Sequence, residues 1–137
     1  MLLNLDAGEH DDESPELWQL ADVVCIACGG HAGDEASMRR VLAVARGVGA
    51  HPSYPDREGF GRRTIEMALP DVTATIAEQC ARLAALATVA YVKPHGALYH
   101  DANAGLRIAA ALLDGAMRVL GGDVIVIGPP HGRLRDA

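Results

Sequence analysis

Asp6, His31, His51, His95 and His131 carry much of this chain's capacity for proton chemistry, and they recur at one kind of place. Each stands just past a short apolar run, on a turn containing glycine, alanine or proline. Carboxylates and imidazoles exchange protons near neutral pH, so this pattern suits general acid–base catalysis. Asp6 and Glu9 form an acidic pair on the turn Asp6-Ala7-Gly8-Glu9, where one carboxylate can take a proton from water while the other orients it or binds a cation. His31 has Gly30 and Ala32-Gly33 beside it, small neighbours that admit a ligand closely. His51 precedes Pro52 and His95 follows Pro94, and the proline rings limit where each imidazole points. Lys93, extended because Pro94 follows it, offers an ammonium to a carboxylate or phosphate. Asp6, His31, His51 and His95 together would also suit a divalent metal, although no local metal motif such as H-E-x-x-H is present.

The stretch from Gly49 to Arg63 gathers His51, Asp56, Arg57, Arg62 and Arg63. Pro52, Pro55, Gly59 and Gly61 exclude a regular helix or central strand, so the segment reads as a loop held in one shape. Tyr54 and Tyr99 are hydrogen-bond donors within reach of such a rim. No Walker-type phosphate loop occurs, but Gly29-Gly30-His31-Ala32-Gly33-Asp34, between a strand and a helix, offers backbone N–H groups to an anion.

The elements that must position these groups follow from periodicity. Leu2 to Leu5, Asp22 to Ala27, Val48 to Ala50, Thr88 to Lys93 and Asp123 to Ile127 read as strands. Helices are expected from Pro15 to Leu20, from a cap at Gly33 or Asp34 to about Arg46, from Pro70 to about Ala87, and from a cap at Asn103 to Gly121. Strand–helix alternation predicts an α/β fold with a parallel sheet and right-handed crossovers. In such folds the carboxyl ends of the strands share one face, and ligands bind there. Cys25 and Cys28 form a C-x-x-C inside an apolar strand and read as buried thiols.

At 137 residues, half of them hydrophobic, one domain with a real core is expected. The net charge of −6 argues against a nucleic-acid partner, no window spans a membrane, and the three cysteines do not suit a secreted disulfide framework. A cytoplasmic location is the expectation.

Four segments, in order, resemble the LamB/YcsF family, to which the A component of bacterial 5-oxoprolinase belongs. They are Asn4 to Glu9, Ile26 to Asp34, Gly49 to Arg63 and Val92 to Tyr99. The resemblance covers nearly the whole chain, 1–137, and about the first half of the family's usual sequence. It implies a partial (β/α) barrel like that of the polysaccharide deacetylases. It also implies ATP-dependent hydrolysis of 5-oxo-L-proline to L-glutamate, with separate B and C subunits. Carried over by position, Asp6, Glu9, His31, His51 and His95 are the expected catalytic set, with Lys93, Asp56, Arg62 and Tyr99 supporting substrate or phosphate. Asp6 or Glu9 is the expected base and His51 or His95 the expected acid to the lactam nitrogen. ATP and a divalent metal are the expected cofactors. Gly30 stands where the family usually has a bulky aromatic, Ala7 where it has Leu and His100 where it has Asn. Two alternatives share the scaffold: a metal-dependent carbohydrate or amide hydrolase, and a non-catalytic binding or assembly subunit. An uncovered sheet edge would favour a homo-oligomer or a covering partner.

Overall fold

The computed structural model describes residues 1–137. Five strands alternate with helices: β1 (Asn4–Ala7), α1 (Pro15–Leu20), β2 (Val23–Ala27), α2 (Glu35–Leu42), β3 (Val48–His51), α3 (Leu69–Ala84), β4 (Tyr91–Val92), α4 (Gly96–Ala104), α5 (Leu106–Leu120), β5 (Ile125–Val126) and α6 (Arg133–Asp136). The sheet order is β1-β2-β3-β4-β5 and every neighbouring pair is parallel. Sequence neighbours are therefore spatial neighbours throughout. The sheet is wound in one direction only, and right-handed crossovers then put the helices on one side.

The strand residues divide cleanly between the two faces. Ala7, Val24, Ile26, Ala50 and Val92 belong to the apolar core beneath the helices, together with Val72, Ile76 and Leu83 of α3. Full burial of each such aliphatic side chain contributes about 1.5–3 kcal/mol. The alternate residues face the other way. Asp6 is in register with Cys25, Cys25 with Gly49 and Gly49 with Tyr91. Across this face Lys93 Nζ donates to both Asp6 oxygens, at 2.8 and 2.9 Å, and to Asn4 Oδ1 at 3.3 Å. Three strand spacings separate β1 from β4, about 14 Å in a flat sheet. The contact needs the sheet to curl around that face, as a barrel wall does, and the small side chains of Cys25 and Gly49 leave room for Lys93 to cross.

The α/β architecture and the parallel sheet agree with the sequence reading; several boundaries differ. Asp6 lies within β1 rather than after it, and α2 ends at Leu42 instead of Arg46. β4 and β5 are two residues each, because backbone pairing to their neighbours is that short. Residues read as a loop after Pro94 form α4, and Asn103 lies inside it; the cap of α5 is Gly105. Gly115 lets α5 press against α3, since any Cβ there would meet Thr73 O and the Ile76 side chain. Cys25, Cys28 and Cys80 are free and buried. β1 and β5 form the sheet's two edges, and Leu2, Leu3 and Ile125 stand exposed beside them. No helix is long and apolar enough to cross a membrane.

Candidate active site

The first four strands deliver Glu9, His31, His51 and His95 to one point above their carboxyl ends. One ligand atom from each lies within 4.8 Å of all the others. Glu9 Oε1 is 2.7 Å from His31 Nε2, 3.2 Å from His95 Nδ1 and 3.6 Å from His51 Nε2. His95 Nδ1 and His51 Nε2 are 3.1 Å apart.

Each loop is tied so that these atoms converge. Glu13 turns its carboxylate back on the β1–α1 loop and accepts from the N–H groups of Gly8, Glu9 and His10, at 2.7, 2.8 and 2.9 Å. Asp34 and Ser37 cap α2 reciprocally, fixing the end of the loop that carries His31. Gln79 of α3 brackets Ser53, accepting from its N–H at 3.0 Å and donating to its carbonyl at 2.8 Å. Gly30 is packed against this bracket, so a Cβ there would run into Gln79 and Ser53. That explains why the position holds no aromatic side chain in this chain. His95 N–H donates to Pro52 O and Ala97 N–H to Gly61 O, which sew the loops after β3 and β4 together. Gly61 has φ +64, and its Cα lies so close to the site that an added Cβ would stand 2.9 Å from His31 Cβ and 3.0 Å from His95 Cδ2.

The outer ring nitrogens settle two tautomers. His51 Nδ1 donates to Lys93 O at 2.7 Å and His95 Nε2 donates to Phe60 O at 2.9 Å. A carbonyl only accepts, so those nitrogens carry hydrogen. His31 Nδ1 is buried with no hydrogen-bond partner. The His31 and His95 rings lie flat on one another, centroids 3.6 Å apart and planes at 4°, while His51 stands edge-on to both.

Burial lowers the basicity of the imidazoles. It holds His31 below its usual value against the opposing hydrogen bond to Glu9. It takes His51 from 6.5 down to about 4, against the Asp6 charge and the Lys93 carbonyl. Burial pushes Glu9 the other way, but the hydrogen bonds to His31 and His95 outweigh it and hold its carboxyl far below the usual range. With His31 and His51 neutral at pH 7, hydrogen bonding rather than full charge keeps Glu9 ionised.

The expected residues are not all at this point. Asp6 stands at its edge: His51 Nε2 is 3.5 Å from Oδ2, but the carboxylate is engaged by Lys93. Glu9 therefore takes the place given to Asp6 in the expected metal set. Lys93 is likewise occupied, so an anion would have to displace Asp6 to reach it. Asp56 is buried and spent on the loop itself, accepting from Gly59 N–H and twice from Arg63. Arg62 is exposed and lies over the Phe60 ring. Tyr99 is half-buried on α4 against His100, and Tyr54, not Tyr99, makes the buried tyrosine hydrogen bond, to Asp101. His131 is exposed and outside the cluster.

Glu9 and His31 line a cavity of about 690 Å³. Its other walls include His10, Arg40, Arg57 and Phe60; the His10 and Phe60 rings stack at 5.2 Å. Sequence reasoning gives no role to Glu13, Gln79 or Phe60. Only Phe60 carries a signal there, a bulky residue between two glycines; it is the one non-glycine residue with positive φ, at 54°.

Comparison with known proteins adds a family to this geometry. The LamB/YcsF family profile matches residues 2–137. A Pseudomonas aeruginosa protein, named as the third of that organism's 5-oxoprolinase A components, is 43% identical over 83% of this chain and 51% of its own length. The 5-oxoprolinase A component of Streptomyces griseus is 44% identical over 98% of this chain and 59% of its own. The crystal structure of a lactam utilization protein from Thermus thermophilus superposes with a TM-score of 0.92 at 29% identity, covering 99% of this chain and 60% of that one. The chain thus spans between half and three-fifths of the length of these relatives.

Proposed function

The chain belongs to the LamB/YcsF family, and from that premise we propose that it is the A-type component of an ATP-dependent 5-oxoprolinase, opening 5-oxo-L-proline to L-glutamate with B and C subunits. The observation that carries this is the convergence of Glu9, His31, His51 and His95 beside a cavity of about 690 Å³. Relatives that bear the name of the 5-oxoprolinase A component support the substrate.

The chemistry explains the need for ATP. A lactam carbon is a poor electrophile. Transfer of the γ-phosphoryl group to the lactam oxygen forms an O–P bond, breaks the bond to ADP and makes that carbon open to water. Water adds, the C–N bond breaks with a proton delivered to nitrogen, and a second water releases phosphate from the resulting acyl phosphate. Glu9, ionised and held by Glu13's grip on its loop, is placed to orient water. His51 and His95 are placed to carry the proton to nitrogen. The acceptor-rich cluster also supports a bound divalent metal, held among Glu9 and the three histidines. Such an ion supplies Lewis-acid polarisation and a more acidic water. Lys93 and the cavity arginines, Arg40 and Arg57, are the groups available to an anionic substrate.

The test mixes the chain with B and C subunits, 5-oxo-L-proline and ATP, and measures glutamate. The expected result is glutamate release that falls about 10²–10⁴-fold in Glu9→Gln and His51→Gln. No glutamate from the parent mixture, or variants as active as the parent, would overturn the reading. Hydrolysis of an N-acetylated sugar without ATP would instead support the deacetylase-type alternative.

A further inference from the structure

We infer that a metal at this point is held by three groups, Glu9, His51 through Nε2 and His95 through Nδ1, and that His31 is a positioning residue that holds Glu9 by hydrogen bond. This rests on the metal reading above but not on the substrate.

The tautomers come first. Because Nδ1 of His51 and Nε2 of His95 donate to backbone carbonyls, their other nitrogens present lone pairs in the neutral rings. Those lone pairs face each other at 3.1 Å, with the Glu9 oxygen 3.2 and 3.6 Å away. Three acceptors around one point need a cation between them. Ligands bound at 2.0–2.1 Å in a tetrahedron stand about 3.3 Å apart, which matches this triangle. The two carbonyls are also the outer partners that metal-bound histidines use to fix ring orientation.

His31 fails each of these criteria. Its Nε2 is 2.7 Å from Glu9 Oε1, the separation of a hydrogen bond rather than of two ligands. Its Nδ1 has no outer partner. Above all, its ring is parallel to that of His95 and stacked 3.6 Å from it. An imidazole binds a metal through a lone pair in its own ring plane. An ion in the plane of His95 lies roughly a full stacking distance out of the plane of His31, well beyond the bond length of about 2 Å. One ion cannot serve both rings. His31 thus carries its hydrogen on Nε2 toward Glu9, and the site keeps open the fourth position that hydrolytic metal centres reserve for water.

The experiment loads the full chain with Co²⁺ or Zn²⁺, measures stoichiometry by elemental analysis and affinity by chelator competition, and records the Co²⁺ visible spectrum. Circular dichroism checks the folding of each variant. One ion per chain is expected. His51→Gln and His95→Asn, which keep shape but not ligand strength, should weaken binding more than a hundredfold. His31→Gln, which keeps a donor toward Glu9, should stay within tenfold and leave the Co²⁺ spectrum unchanged. His31→Leu, which removes that donor, should weaken binding tenfold to a hundredfold. Loss in His31→Gln as large as in His51→Gln, or no stoichiometric ion in the folded parent, would overturn the proposal. A chain that binds metal this way but yields no glutamate would refute the 5-oxoprolinase reading and leave this one standing.

Discussion

The rim above β1 to β4 and the rim above β5 carry the same signature in sequence: a short apolar strand, then a Gly- or Pro-bearing turn with a histidine or an acid. They do different things. Over the first four strands, Glu9, His31, His51 and His95 meet at one point. Over β5, His131 is exposed and joins nothing there. The difference lies in bonds between loops. Glu13 fixes Glu9, the Lys93 and Phe60 carbonyls fix His51 and His95, and His95 and Ala97 bond back to Pro52 and Gly61. After β5, Ile127 N–H still reaches Val92 O, but the turn that follows is held by Arg135 on Pro130 O, a contact within its own loop. A strand end brings a side chain to the rim; ties across loops turn the rim into a site.

The largest effect should come from breaking a tie in the backbone. Gly61→Ala puts a side chain at φ +64 and within 2.9–3.0 Å of His31 and His95. Strain and overpacking together should cost about 3–4 kcal/mol in a urea titration and lower metal affinity as well. A fully stable, metal-binding Gly61→Ala would show that the loop is not held as described.

Acid should act next, and through the same rim. His51 is held from 6.5 down to about 4 by burial, so its unfolded form binds a proton first as pH falls. Stability is then fully present above about pH 6.5 and is lost as pH drops toward 4, by roughly 3 kcal/mol at most. Glu9, also depressed, adds loss at still lower pH. Urea midpoints of the metal-free protein between pH 7.5 and 4 measure this, and His51→Gln should flatten the profile. A midpoint that rises on acidification would contradict it.

Much of the site's outline is legible in the residue order alone. Strand-end phase locates His31, His51 and His95, and the apolar run of β2 matches a strand buried along its whole length. Two things are not legible. Helix α4 has no clear apolar stripe, since Ala97, Leu98 and Ala102 are buried among small and polar residues. The choice between Asp6 and Glu9 depends on Lys93 crossing the curled face of the sheet to occupy Asp6. No local pattern reports a contact between residues 87 positions apart.

A gentler break is Gln79→Met, which removes the bracket on Ser53 and leaves a buried N–H and carbonyl without partners. Destabilisation of about 2–3 kcal/mol is expected. The smallest effect should be His131→Ala, within about 0.5 kcal/mol and without change in metal affinity, as suits an exposed side chain. If His131→Ala proved as damaging as His51→Gln, the contrast between the two rims would disappear.

The sharpest single measurement is nitrogen–proton NMR of the histidine rings in the zinc-loaded chain. His51 should carry its hydrogen on Nδ1 and show metal ligation at Nε2, His95 should show the reverse, and His31 should keep hydrogen on Nε2 with no ligated nitrogen. Finding His51 and His95 in the same tautomer, or ring signals untouched by zinc, would contradict the convergence on which the account depends.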